Sequence, residues 1–144
     1  MRMSVLPRIL ACAAALTVVA ASAAQADPDP ARNGAAWTGT WTNMNNTMHV
    51  RAAPCGDAMC GTVIWADDKT KAQIAEKGRN LIGTQVFREF RKTGANVWKG
   101  KVYVPAIDQT VNGTIELTDP ESITASGCSF LGLGCQTRHW KRIR

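Results

Sequence analysis

Short hydrophobic runs that alternate with polar residues make up most of the chain, and turn-forming residues separate them. In residues 110–118, Val111, Gly113, Ile115 and Leu117 occupy every second position, and polar residues stand between them. This period of two is typical of a β-strand with one buried face. The same texture predicts eight strands, at residues 37–43, 48–53, 61–66, 84–92, 97–105, 110–118, 122–128 and 135–143.

Two segments depart from simple alternation. Residues 67–81 contain helix-forming residues and no period of two, which predicts a short helix or a lid-like loop. Val86, Phe87 and Phe90 suit a strand but also one side of a short helix, so residues 84–92 are open to both interpretations.

Eight strands at a spacing of about ten residues, joined by turns rich in Gly, Pro, Asn and Asp, are typical of a sandwich or a barrel. Gly100 and Gly113 interrupt two of these strands and mark places where a barrel would bend. The pattern therefore favours a single all-β domain over residues 37–144.

The first residues have the pattern of a secretory signal peptide. Two arginines precede an almost wholly apolar stretch at residues 9–21, and Ala24-Gln25-Ala26 forms a small-x-small cleavage site. The apolar core is too short for a transmembrane helix, and no later run reaches that length. We predict a signal peptide over residues 1–26, a flexible leader over residues 27–36 and a periplasmic or secreted protein.

Four cysteines follow the predicted cleavage site: Cys55, Cys60, Cys128 and Cys135. In an oxidising compartment, pairs that flank a short turn favour the disulfides Cys55–Cys60 and Cys128–Cys135. Zinc is the competing interpretation, but gaps of four and six residues are longer than usual zinc knuckles. We predict two local disulfides and no metal site.

Charge and motif content argue against several classes of function. The net charge is +6 and no run of five like charges occurs, so neither nucleic acid nor an anionic membrane surface is the expected partner. No Gly-x-Ser-x-Gly motif accompanies His49 and His139, and we predict neither an enzyme nor a cofactor. Met44 and Met48 share a strand face from which His49 points away, which disfavours a copper site.

The first and last strands carry residues suited to closing a barrel. Gly39-Thr40-Trp41 opens the first strand, and Arg138 and Arg142 lie on the last. A cation over an indole face is favourable and would tie the two strands together. This arrangement resembles the closure of lipocalins and other calycins, and Trp41, Arg138 and Arg142 are the predicted closure residues.

A longer pattern is more specific. It comprises Gly-x-Trp, Cys-Gly-x-x-x-Cys-Gly-x-Val-Ile-Trp ending at Trp65, Asn80-Leu81-Ile82-Gly83, Trp-x-Gly-x-Val-Tyr ending at Tyr103, and Gln-Thr-Arg-His-Trp-x-Arg ending at Arg142. It resembles the bacterial exported family catalogued as domain of unknown function 2147, over residues 39–142. The resemblance implies an eight-stranded antiparallel up-and-down barrel of lipocalin type and no established activity. The chain departs from the family pattern at residues 71–79 and 108–111.

A barrel of eight strands is either filled by side chains or holds one small ligand. We predict a binding protein for a small apolar or amphipathic molecule, with Trp65, Trp98, Phe87 and Tyr103 as ligand-binding residues. Packing of the tryptophans in a filled core is an equal interpretation. The alternative function is an interaction or inhibitor module that binds another envelope protein or a cell-wall polymer through its loops and exterior.

Overall fold

A computed structural model describes residues 35–129 and 134–143. Eight antiparallel strands follow one another around a closed barrel, and the last strand pairs with the first. The predicted up-and-down barrel is therefore confirmed. The strands are β1 (Gly39–Asn43), β2 (Met48–Cys55), β3 (Ala58–Ala66), β4 (Gln85–Gly94), β5 (Val97–Val104), β6 (Gln109–Asp119), β7 (Ser122–Cys128) and β8 (Cys135–Ile143).

Two short helices accompany the strands. A 3-10 helix at Ala35–Trp37 precedes β1, and the helix α1 (Asp68–Ala75) lies within the predicted helical segment. The Asp67 carboxylate caps α1 by accepting a hydrogen bond of 2.7 Å from the Thr70 backbone N–H. The predicted signal peptide and residues 27–34 of the leader lie outside the described residues. Neither described helix has the length and apolar character needed to cross a bilayer.

The helix-like spacing of Phe87 and Phe90 has its cause in a bulge of β4. The pairing of β4 with β5 shifts between Arg88 and Arg91, and Glu89 adopts a φ of 52°. An extra residue in a strand changes which face the following side chains occupy, so both phenylalanines are buried although three positions separate them. The segment is a strand, and the helix interpretation is wrong.

Gly100 and Gly113 form a cross-strand pair that makes room for the Phe90 ring. A Cβ on Gly100 would lie 2.8 Å from that ring and 2.7 Å from the Arg88 carbonyl oxygen. A Cβ on Gly113 would lie 3.2 Å from the same ring. The two glycines are in register between β5 and β6, so the phenyl group fills the space that two side chains would otherwise take.

A cluster of aromatic rings fills one half of the barrel. Trp37 is fully buried, and the centre of its ring lies 6.0–6.4 Å from the rings of Phe87, Phe90 and Trp98. The contacts with Phe87 and Phe90 are edge-on, and such contacts add to the free energy of burying the rings. The 3-10 helix thus places the Trp37 ring inside the barrel, where it fills space between the interior aromatic side chains.

The two predicted disulfides are both present. Cys55 is bonded to Cys60 across the turn between β2 and β3. Cys128 is bonded to Cys135 at the ends of β7 and β8, where the two cysteines are also in register. Because these turns lie at opposite ends of an up-and-down barrel, each end has one covalent brace.

Candidate ligand cavity at the open end of the barrel

The two ends of the barrel differ in how they are covered. One end, here called the closed end, carries the 3-10 helix and the turns that follow β2, β4 and β6. The other, here called the open end, carries α1 and the turns that follow β1, β5 and β7. Ile74 of α1 and the nearby Leu81 are buried in the core, so this helical segment covers part of the open end.

Arg142 secures the closed end. Its guanidinium donates three hydrogen bonds to backbone carbonyls, at 2.6 Å to Thr38, 2.7 Å to Ala36 and 3.0 Å to Pro120. Its central carbon lies 4.3 Å from the centre of the Trp41 ring. One side chain of the last strand therefore holds the first strand, the 3-10 helix and the β6–β7 turn together.

The position of the Arg142 side chain explains why the Gly-x-Trp motif begins with a glycine. Gly39 has a φ of +135°, a conformation that residues with side chains rarely adopt. A Cβ there would also lie 2.8 Å from the Arg142 guanidinium. Glycine thus lets the arginine reach across β1.

A cavity of about 290 Å³ lies in the half of the barrel nearer the open end. Its deep wall is apolar and is formed by side chains that point inward from β4 to β8: Phe87, Val102, Val104, Val111, Ala125 and Trp140. The Phe87 and Trp140 rings pack edge to face, with their centres 5.7 Å apart, and form its floor above the aromatic cluster. The barrel is thus filled at one end and hollow at the other.

The rim of the cavity is more polar than its floor. It is formed by the β5–β6 turn, the described ends of the β7–β8 connection and the first residues of β6 and β8: Ile107, Gln109, Ser129, Gly134 and Gln136. The hydroxyl oxygen of Ser129 is buried, and it has no hydrogen-bond partner within residues 35–129 and 134–143. The indole nitrogen of Trp140 is also buried, and it too has no hydrogen-bond partner within the described residues.

Arg138 is the one charged side chain among the described residues that line the cavity. It lies on β8 opposite the buried Ala125, between the rim residue Gln136 and the floor residue Trp140. Its Nη1 donates a hydrogen bond of 3.2 Å to the Thr137 carbonyl oxygen. None of the ion pairs formed between described residues includes Arg138.

A set of polar contacts, here called the rim clasp, holds the β5–β6 turn from outside. The Asp108 carboxylate receives a hydrogen bond of 2.9 Å from the Tyr103 hydroxyl and pairs with Arg79 at 3.0 Å. Arg79 also donates to the Pro105 carbonyl oxygen at 3.0 Å. Because Ile107 lies between these anchor points, the clasp fixes the exposed isoleucine at the edge of the cavity.

The contacts of the rim clasp also shift the pKa values of Asp108 and Tyr103. The hydrogen bond from Tyr103 and the positive charge of Arg79 hold the pKa of the Asp108 carboxyl below its ordinary value. The same hydrogen bond raises the pKa of the Tyr103 hydroxyl, because deprotonation would remove the donor and place two negative charges together.

Comparison with known proteins settles the family. Residues 39–142 match the model of the family described as "Uncharacterized protein conserved in bacteria (DUF2147)". The chain belongs to this family. Among solved structures, protein HP1028 from Helicobacter pylori, described as belonging to the lipocalin family, is 16% identical with a TM-score of 0.59. The match covers 74% of this chain and 82% of that one, and at this identity it shows the fold alone. A search of curated proteins finds no match.

The rim clasp joins the two stretches, residues 71–79 and 108–111, at which the sequence resemblance predicts a departure from the family pattern. Arg79 ends the first stretch, and Asp108 begins the second. Their ion pair brings the two stretches together at the cavity rim.

The structure brings one of the four predicted ligand-binding residues to the cavity, and that residue is Phe87. Trp98 does face the interior, but it is buried beside Trp37 in the filled half. Tyr103 lies on the outer face of β5, with Arg88 over its ring at 4.4 Å, and acts on the cavity only through the rim clasp.

Trp65 requires a correction, because it lies on the outside of the barrel. Strict alternation from the buried Val63 would place Trp65 inside. The pairing of β2 with β3 shifts at this point, so Ile64 is an extra residue and Trp65 turns outward. The residue is 41% exposed, and its ring stacks on His49 with 4.4 Å between ring centres.

The predicted closure residues divide between the two ends. Arg142 contacts Trp41 at the closed end, whereas Arg138 lines the cavity near the open end. The sequence analysis did not predict Trp140 or Gln136 as cavity residues. The signal was present in the period of two along β8, which places Gln136, Arg138, Trp140 and Arg142 on one face.

Proposed function

We propose that this protein is an exported binding protein that holds a small apolar or amphipathic molecule in the cavity at the open end of its barrel. The observation that carries the proposal is the cavity itself: about 290 Å³ of space with an apolar floor, inside a barrel whose other half is filled. Small-molecule sites are concave, mostly apolar and supplied with few polar groups. The proposed binding residues are Phe87, Trp140 and Arg138, in place of Trp65 and Trp98.

The gradient of polarity favours an amphipathic molecule over a purely apolar one. The floor buries rings and aliphatic side chains, and the rim offers amides, a hydroxyl and a guanidinium. A molecule with an alkyl body and a polar end would match both regions at once. Burial of its body would supply most of the binding free energy, at about 25 cal/mol per Å² of apolar surface.

Export is part of the proposal. The N-terminal pattern of a signal peptide supports it. The two disulfides support it as well, because such bonds persist mainly in oxidising compartments. Intact-mass measurement of protein recovered from the periplasm or medium tests export: cleavage after Ala26 is expected, and retention of the first 26 residues would contradict it.

Ligand binding is tested by thermal shift and tryptophan emission with single-chain alkyl compounds. A compound that binds only the folded state raises stability by about 2.7 kcal/mol at a hundredfold excess over its dissociation constant. Trp140 lines the cavity and should report the event, so Trp140→Phe should lose most of the emission change. Trp65→Phe is the matched control, because that indole lies outside the barrel.

Two observations together would contradict the proposed function. If no single-chain compound changes the melting temperature, and Trp140→Phe and Trp65→Phe have the same emission response, the cavity does not bind such molecules and the proposed function fails.

A further inference from the structure

We infer that the cavity selects a carboxylate: Arg138 binds the anionic end of a single-chain acid, and the alkyl chain points inward to Phe87 and Trp140. This inference rests on the proposed function and names the class of ligand within it. It assigns the recognition of the head group to β8.

Two arginines on one face of β8, Arg138 and Arg142, differ in their hydrogen-bond partners. Arg142 covers the Trp41 ring, and each of its three guanidinium nitrogens donates to a backbone carbonyl of the fold. Arg138 has the same five N–H donors, but within the described residues Nη1 is the one nitrogen that donates to an acceptor. The remaining donors of Arg138 are available to a molecule in the cavity that it lines.

The charge of the cavity lining favours an anion. Of its described lining residues none is acidic, so no carboxylate of the protein competes for Arg138 there. A guanidinium presents parallel donors that match the two oxygens of a carboxylate. Arg138 is itself exposed to solvent, so water partly screens such a pair. The site still favours an anionic head group over a neutral or cationic one.

Two polar side chains at the cavity rim, Ser129 and Gln136, could also contact an anionic head group. The buried Ser129 hydroxyl lacks a partner among the described residues, although buried hydroxyls are normally hydrogen-bonded. An oxygen of a bound carboxylate would accept its hydrogen bond. Gln136 lies on the same face of β8, two residues before Arg138, and its amide adds a donor at the rim.

The size of the cavity limits the rest of the molecule. A volume of about 290 Å³ is at the lower limit of ligand pockets, which range from about 300 to 1,000 Å³. The space suits one alkyl chain of moderate length and excludes a lipid with two acyl chains. Ligand recognition thus divides into an apolar floor for the chain and Arg138 for the acid.

Calorimetric titration with decanoate, decanol and decylamine tests the head group at constant chain length, with decanoate and decylamine below their micelle concentrations and decanol below its solubility limit. The unmodified protein should bind decanoate at least about tenfold more tightly than decanol, as expected for a charge-assisted hydrogen bond, and decylamine most weakly. Arg138→Gln should remove the preference for decanoate and leave decanol binding unchanged. Ser129→Ala should weaken decanoate binding by a smaller factor.

Lys99→Gln is the matched control, because it removes one positive charge from the exposed outer face of β5. It should leave all three affinities unchanged. An equal loss of decanoate binding in Lys99→Gln and Arg138→Gln would show general electrostatic attraction and overturn the inference. The melting temperature of each variant without ligand shows that it is folded.

The outcomes separate the two proposals. If decanol binds as tightly as decanoate and Arg138→Gln changes neither affinity, the cavity binds alkyl chains but the carboxylate inference is wrong. If none of the three compounds binds the unmodified protein, the proposed function fails and the inference fails with it.

Discussion

Arg138 and Arg142 show how identical side chains four residues apart acquire different roles. Both lie on the inward face of β8, as the period of two predicts. The sequence alone does not define which end of the barrel each one reaches, because that depends on the register of β8 against β1 and β7. In the closed barrel Arg142 is opposite Trp41 and Arg138 is opposite Ala125, so one stabilises the fold and the other faces the cavity.

The closure contact predicts a large difference in stability between variants at these two positions. Arg142→Met keeps most of the aliphatic stem but removes three hydrogen bonds to backbone carbonyls. Charge-assisted hydrogen bonds contribute about 1.5–3 kcal/mol each in favourable settings, and with partial exposure we expect a total loss of about 2–3 kcal/mol. Urea unfolding measures the loss. Arg138→Gln is the control and should cost less than about 0.5 kcal/mol; equal losses would contradict the division of roles.

At the scale of the element, the paired strands β5 and β6 need small residues where the Phe90 ring packs against them. Gly100 and Gly113 were predicted as places where strands bend, and their identification as the space for Phe90 required the cross-strand register. The bulge in β4 was missed for a related reason. Its cause is a pairing shift with β5, and the order of residues within β4 does not reveal that shift.

Gly100→Ala should destabilise the barrel by about 1–3 kcal/mol, the usual cost of inserting atoms into a packed site. The added methyl would lie 2.7 Å from the Arg88 carbonyl oxygen and 2.8 Å from the Phe90 ring, and the backbone atom has little freedom to move. Gly94→Ala is the matched control, since its nearest neighbour would be at an ordinary 3.6 Å. Denaturant unfolding of both variants measures the difference, and equal stabilities would contradict the proposed packing.

The rim clasp predicts a pH dependence for the β5–β6 turn. The pKa of Asp108 is lowered in the folded protein, so its stabilising contribution is fully present above about pH 4 and is lost as pH falls through the folded pKa. The pKa of Tyr103 is raised, so its contribution is present below about pH 10 and is lost above the folded value. The clasp should therefore hold the turn throughout the neutral range.

Melting temperatures of the unmodified protein and Asp108→Asn, measured from pH 2 to pH 8, test this dependence. The difference between the two proteins should be constant above about pH 5 and should shrink in more acid solution as the wild-type carboxyl gains its proton. Glu116→Gln makes the same change of chemistry at an exposed site on β6 and should not reproduce the pattern. A difference that grows in acid would contradict the clasp.

At the scale of the whole molecule, the eight strands and the two disulfides follow from local patterns of alternation, turns and cysteine spacing, whereas the order of the strands in an up-and-down barrel was implied by the family resemblance. The distribution of space within the barrel was not predictable in the same way. Trp65 turns outward because Ile64 adds a residue to β3, and Trp98 lies deep because Trp37 enters from the 3-10 helix and packs against it. Whether a barrel is hollow depends on how side chains from all its strands meet.

The division into a filled half and a hollow half predicts that the cavity can be closed by one substitution. Ala125 lines the cavity from β7, opposite Arg138, and Ala125→Phe would place a ring in the empty space. Because this space contains no side chain, the barrel should stay within about 1–2 kcal/mol of its original stability. Decanol and decanoate should both lose at least tenfold in affinity, whereas Arg138→Gln affects decanoate alone.

Lys99→Phe adds the same ring to the outer face of β5 and should leave both affinities unchanged. Calorimetric titration of the two variants thus distinguishes a site inside the barrel from one on its surface. Undiminished binding by a folded Ala125→Phe protein would place the ligand outside the cavity. Loss of binding with an unchanged melting temperature would place it between the floor at Phe87 and the guanidinium of Arg138, because the new ring occupies that space and alters no other described surface.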